Sequence, residues 1–151
     1  MKIGFGCDHA AVELKTILMD HLKEQGFACV DYGAAAGEKV DYPVKGLAVA
    51  EAIVRGEVDK GVLLCGTGVG ISLAANKVPG IRAAVSSEPY TAKLTLEHNN
   101  ANIIAMGARV VGSELAIMIV DAFFGAEFQG GRHANRVALI SDIEKKYSRE
   151  A

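Results

Sequence analysis

Cysteine is scarce in this chain. It has three, Cys7, Cys29 and Cys65, an odd number with no Cys-x-x-Cys spacing. That argues against a disulfide framework and against the usual zinc ligand sets; no metal and no cofactor is expected. Scattered thiols suit a reducing compartment, and a cytoplasmic location follows as the expectation. Long apolar runs are also missing, so nothing points to a membrane span. The first residues, MKIGFGCDH, enter a short strand directly and show none of the apolar core of a signal peptide. Charge of one sign is lacking too. A formal net charge of −2 gives no reason to expect a nucleic-acid partner. Repeats, low-complexity stretches and linkers are absent, and 151 residues suit one domain, 1–151.

Short apolar runs alternating with helical patterns are abundant. The runs at 2–6, 27–33, 61–65, 81–85 and 102–107 read as strands. Between them, Leu14, Ile17, Leu18 and Leu22 keep helical spacing up to Gly26, and Val44, Leu47, Ala48 and Ala52 do so up to Gly56. A short helix is expected after 70, another from SEPY, with Ser87 as its cap, to EHNN at 97–100. The segment 113–125 is apolar on nearly every side, so it is either deeply buried or packed on another subunit. The last helix has a modest apolar stripe at Val137, Ile140 and Tyr147, after a loop at 127–133. The fold expected is α/β, a three-layer α/β/α sandwich around a Rossmann-like, five-stranded parallel sheet. Ligands in such folds bind beyond the carboxyl ends of the strands. That places Cys7, Asp8 and His9 beside the segment from Cys65 to Gly70.

The stretch LLCGTGVGIS, residues 63–72, ends a buried strand in a cysteine and continues with Gly66, Gly68 and Gly70 at alternate positions. Such a loop can turn its backbone N–H groups toward an anion, and a following helix adds its positive end. It lacks the Gly-Lys-Ser/Thr of a Walker loop, and Ile71 stands where the dinucleotide fingerprint needs glycine. A plain strand-to-helix turn is the alternative. Cys65 is either a small buried hydrophobe or a thiol made reactive by the loop's positive potential. Cys7 is a weaker candidate, because Asp8 beside it would raise its pKa.

Other polar residues fall at suggestive places. His9 follows the first strand and His98 precedes the fifth, both expected at or near the ligand edge, whereas His21 reads as a surface residue. Asn99 belongs to the polar cluster HNN, and Arg109 follows the fifth strand. Arg132 and Arg136, four apart, share a helix face suited to phosphate or simply to solvent. Tyr42, before Pro43, could wall a small pocket or merely pack, and the stretch 34–40 reads as a mobile loop.

The motifs GCDH (6–9), DYP (41–43), CGTGVGIS (65–72), EHNN (97–100) and GGRH (130–133) stand together in order along essentially the whole chain. This set resembles the type B ribose-5-phosphate isomerase family, which also includes galactose-6-phosphate and allose-6-phosphate isomerases. The resemblance implies a metal-free aldose–ketose isomerase of the pentose phosphate pathway that works through an enediolate. It also implies a homodimer or dimer of dimers with active sites shared between subunits. By resemblance, Cys65 is the base, the N–H groups of Gly66 to Gly70 hold the enediolate, and Thr67 relays protons. Asp8 binds sugar hydroxyls near the ring oxygen, His98 opens the ring, and Asn99 binds a hydroxyl. His9, Arg109, Arg132 and Arg136 take the phosphate, with His98, Asn99 and Arg109 supplied by the partner subunit. Some members carry serine at the Cys65 position and a glutamate after the loop. Here no glutamate follows, which favours the cysteine-base branch.

Ribose 5-phosphate is the expected substrate, with six-carbon sugar phosphates second. A non-catalytic nucleotide-binding module would explain the fold and the loop but leave Cys65, His98 and the arginine pair idle. A cysteine hydrolase or phosphatase would want an arginine closing the loop, and CGTGVGIS has none.

Overall fold

A computed structural model describes residues 1–148. Five strands, β1 (Lys2–Cys7), β2 (Ala28–Asp31), β3 (Lys60–Cys65), β4 (Ala83–Val85) and β5 (Ile103–Gly107), form one sheet in the order β2-β1-β3-β5-β4. Every pairing is parallel. The helices are α1 (Val12–Glu24), α2 (Tyr42–Val54), α3 (Val69–Ala75), α4 (Pro89–Asn99), α5 (Ser113–Phe124) and α6 (Arg132–Tyr147). The expected α/β sandwich is therefore the observed one.

The alternation of side chains along a strand assigns the two faces of the sheet. Ile3, Phe5, Val62, Leu64, Ile104 and Met106 face α1, α4 and α5 through Leu18, Leu22, Leu96, Ile119 and Phe123. Leu63, Cys65, Ile103 and Ala105 face α2 and α3 through Val49, Ala50, Ile71 and Ala75. Each fully buried Leu, Ile or Phe stabilises the sandwich by about 1.5–3 kcal/mol. Cys7 lies with the first set and Cys65 with the second, so the two thiols belong to opposite faces.

Crossovers toward β2 pass over one face and crossovers toward β4 over the other, which gives all of them the same hand. The chain reverses direction between β1 and β3, so a crevice opens there at the carboxyl edge.

Most boundaries fall within two residues of the expected ones. Gly26 and Gly56 end α1 and α2 with φ of +93° and +74°. The expected cap of α4 is corrected: Glu88, not Ser87, is the N-cap, and its carboxylate accepts the Thr91 N–H at 3.0 Å. Pro89 at the first helical position sets φ and needs no donor partner, which moves the cap to the residue before it. The expected loop at 127–133 is shorter, because Arg132 and His133 already belong to α6. The apolar helix α5 is buried through Ala116, Ile119, Val120 and Phe123, while Met118 is exposed. His21 is held at the α1–α5 seam, with Nε2 2.7 Å from an Asp121 carboxylate oxygen.

Candidate active site

The carboxyl edge gathers one group of the expected residues. Cys65 ends β3, paired with Gly107 of β5, and is 4% exposed. Its Sγ accepts the backbone N–H of Gly68 at 3.1 Å. This contact needs a sharp reversal after the strand. Gly68 supplies it with φ +81°, and a Cβ there would lie 2.6 Å from the Met106 carbonyl carbon. Gly107 is equally constrained, since a Cβ on it would lie 2.6 Å from Thr67 Cα. The glycine loop thus lies directly across the end of β5. Thr67 is exposed, and its Oγ1 accepts the Val69 N–H at 3.3 Å.

Asp8 follows β1 and is largely buried. Its N–H reaches the Leu64 carbonyl of β3 at 3.3 Å, and one carboxylate oxygen accepts the Ala10 N–H at 3.0 Å. His9 beside it is exposed, with Nδ1 3.3 Å from the Val40 carbonyl, the direction of an N–H donor. Tyr42 opens α2 and lays its ring on Gly70, where a Cβ would meet Tyr42 Cζ at 2.5 Å. The ring thus lies directly against the glycine loop. The segment between β2 and α2 is tied down by Lys15. Its buried ammonium meets the Asp31 carboxylate at 2.9 Å and donates to the Ala34 carbonyl at 2.8 Å.

Arg109 belongs to this edge as well. Its N–H donates to the Gly66 carbonyl at 3.1 Å, and its guanidinium lies over Gly66, Nη1 being 3.2 Å from where a Cβ would stand. In this chain Arg109 therefore flanks its own glycine loop. Cys7 is a buried thiol whose pKa is pushed up chiefly by desolvation, with the Ala34 N–H and Lys15 opposing. The Asp8 charge singled out from sequence acts in the same raising direction as a minor cause.

The second group is elsewhere. His98 and Asn99 end α4, and a helix joining parallel strands runs back to the start of the next strand. Arg82, just before β4, donates to the Asn99 carbonyl at 3.1 Å and the Asn100 carbonyl at 2.7 Å. Ala83, Ile103 and Gly61 are in register there, four residues before Cys65. About 13 Å of strand separates that edge from the glycine loop. His98 was expected at or near the ligand edge, and it is at the amino edge instead. Arg132 and Arg136 are exposed one turn apart on α6, on the same side as His98, because His133 between them stacks on His98.

His133 escaped the reading of the sequence. It is 6% exposed, and its ring lies 4.1 Å from that of His98 with 7° between the planes. Its pKa is held below the ordinary histidine value by burial and by His98, Arg132 and Arg136. The signal was the GGRH motif, where two glycines precede a histidine set among arginines. Among the described residues no three His, Cys, Asp or Glu side chains converge as a metal site, and no helix is long and apolar enough to cross a membrane.

One chain thus carries two clusters at opposite edges, one built on a thiol and a glycine loop, the other on two histidines and two arginines. A doubly wound α/β domain with this loop after β3 has relatives over nearly its full length. The sequence profile of the Ribose/Galactose Isomerase family matches residues 3–140. Ribose-5-phosphate isomerase B of Escherichia coli is 54% identical over 96% of this chain and 97% of its own. D-erythrulose-4-phosphate isomerase of Pectobacterium atrosepticum is 43% identical over 95% of each chain. The solved structure of Clostridium thermocellum ribose-5-phosphate isomerase B superposes with a TM-score of 0.96 at 58% identity, covering 98% of this chain and all of that one. These likenesses define an isomerase. The chain belongs to the ribose/galactose isomerase family.

Proposed function

We propose that the protein interconverts ribose 5-phosphate and ribulose 5-phosphate in the cytoplasm, with no metal, at sites completed by a second copy of the chain. The observation that carries this reading is the pairing of Cys65 with the Gly68 N–H at the mouth of the β1–β3 crevice, in a chain of this family. Removing a proton beside a carbonyl requires a base and donors for the oxyanion that forms. Cys65, as thiolate, takes the C2 proton of the open-chain aldose. The electron pair moves into a C1–C2 double bond, and O1 becomes an oxyanion held by the loop N–H groups. The thiol exchanges its proton with solvent and delivers one to C1. The O2 proton passes to O1 by way of Thr67, leaving the C2 ketone.

The cyclic sugar must open first. His98 gives a proton to the ring oxygen as the bond from C1 to that oxygen breaks, and the O1 hydroxyl loses its proton to water as C1=O forms. Asp8 and Asn99 hold sugar hydroxyls, and Tyr42 walls the pocket. His9, Arg109, Arg132 and Arg136 bind the phosphate.

His98 lies a strand's length from Cys65 of its own chain, so the reading requires another copy to bring its amino-edge cluster to this loop. A homodimer, alone or paired again, does so by two-fold symmetry. Beside the loop, Val44, Val69 and Leu73 are 48–59% exposed, an apolar surface of the kind a subunit contact covers.

The test is chelator-treated protein with ribose 5-phosphate in D2O, followed by proton NMR. Ribulose 5-phosphate carrying deuterium at C1 supports the reading. Turnover of galactose 6-phosphate, allose 6-phosphate or erythrulose 4-phosphate in preference to ribose 5-phosphate would reassign the substrate, and no turnover of any would remove the catalytic role of Cys65.

A further inference from the structure

The pair His98 and His133 is built rather than incidental. Gly130 and Gly131 both have positive φ, +65° and +56°, a succession that side-chain-bearing residues rarely adopt. Together they turn the chain into α6 so that Arg132 is exposed while the next residue, His133, is buried. The turn is fastened to α4 twice by Gln129. Its N–H donates to the Glu97 carbonyl at 3.0 Å, and its side-chain amide reaches the Glu97 carboxylate at 3.3 Å. The His133 N–H closes the first turn on the Gly130 carbonyl at 3.0 Å. The result is a near-parallel face-to-face contact between a buried ring and the half-buried ring of His98.

We propose that His133 is a positioning residue for the ring-opening step, a flat support that holds the His98 imidazole at the angle from which it reaches the ring oxygen. The proposal rests on the isomerase reading above. His98 sits in the last turn of α4, two residues before Asn100 in the left-handed region with φ +47°, where a helix end frays readily. A stacked partner fixes that ring in a way that a loose aliphatic neighbour does not. Held neutral by burial and by the surrounding cations, His133 can lie under a protonated imidazole without opposing charge. Proton transfer then belongs to His98, the more accessible of the two.

Two rates separate positioning from general damage. Conversion of ribose 5-phosphate needs ring opening and enolisation. Ribulose 5-phosphate cannot close to a furanose, because its C5 oxygen carries the phosphate. Exchange of its C1 proton with D2O therefore reads enolisation alone. His133→Ala is expected to lower kcat on ribose 5-phosphate by roughly tenfold or more, with C1 exchange in ribulose 5-phosphate within about twofold of the unsubstituted protein. His133→Phe, which restores a flat ring, recovers most of the lost kcat, and His133→Gln does not. Melting curves identify any variant that fails to fold, and the comparison of Phe with Gln then decides. Both rates falling together in every variant, or neither falling, would overturn the proposal. If the unsubstituted protein turned over neither sugar, the isomerase reading itself would fall, which is a separate and recognisable outcome.

Discussion

Cys65 and His98 occupy opposite edges of one parallel sheet. The first ends β3, and the second ends the helix that leads back to the start of β5. The geometry follows from connectivity alone, because any helix joining two parallel strands returns to the amino edge. A reaction that uses both residues therefore joins two copies of the fold, each offering its thiol edge to the histidine edge of the other.

The loop that holds Cys65 tolerates no side chain at Gly68. Gly68→Ala must adopt φ near +81° and place a methyl group 2.6 Å from backbone at Met106. A destabilisation of at least about 2 kcal/mol is expected, measured by urea unfolding. Activity should fall further than stability explains, since the Gly68 N–H is the donor on Cys65 Sγ.

Lys15 fastens the segment that carries Tyr42 and the Val40 carbonyl. In Lys15→Met the stem is kept and the charge removed. Asp31 is 44% exposed and stays solvated, so the cost is set by the orphaned Ala34 carbonyl, about 1–3 kcal/mol. Urea unfolding reads this loss, and a higher KM with little change in kcat is expected alongside it.

The burial of His133 makes stability depend on pH. Its folded pKa lies below the ordinary value of 6.5, so the unfolded chain takes up the proton more readily. The contribution is complete above about pH 6.5 and is lost as pH falls through the folded value. His98 on α4 and Arg132 and Arg136 on α6 are the groups that disfavour the charge, after burial itself. Melting temperatures from pH 8 down to 5 should fall less steeply for His133→Phe than for the unsubstituted protein, and parallel curves would contradict this.

Much of the architecture was legible in the sequence. Apolar runs located all five strands, and Gly26 and Gly56 marked two helix ends where φ is indeed positive. The period of two in VLLC even sorts Leu63 and Cys65 onto one face and Val62 and Leu64 onto the other. What local pattern could not supply was strand order. The insertion of β5 between β3 and β4 depends on long-range packing, and it is what brings Arg109 against Gly66. The position of His98 was available in principle, because a helix preceding a strand ends where that strand begins. Its partner His133 was only half legible, since GGRH marks the turn but does not say which of two adjacent polar side chains turns inward.

The most direct test of a shared site is complementation between two inactive variants. In the proposed mechanism Cys65→Ala removes the base and His98→Asn the ring-opening group, and each alone should convert ribose 5-phosphate at least about a hundredfold more slowly than the unsubstituted protein. After mixing under conditions that exchange subunits, half of the dimers are mixed, and each of these holds one intact site. Activity should then return to about a quarter of that of the unsubstituted protein. A mixture as inactive as its components, with exchange of subunits verified by mass, would contradict the account.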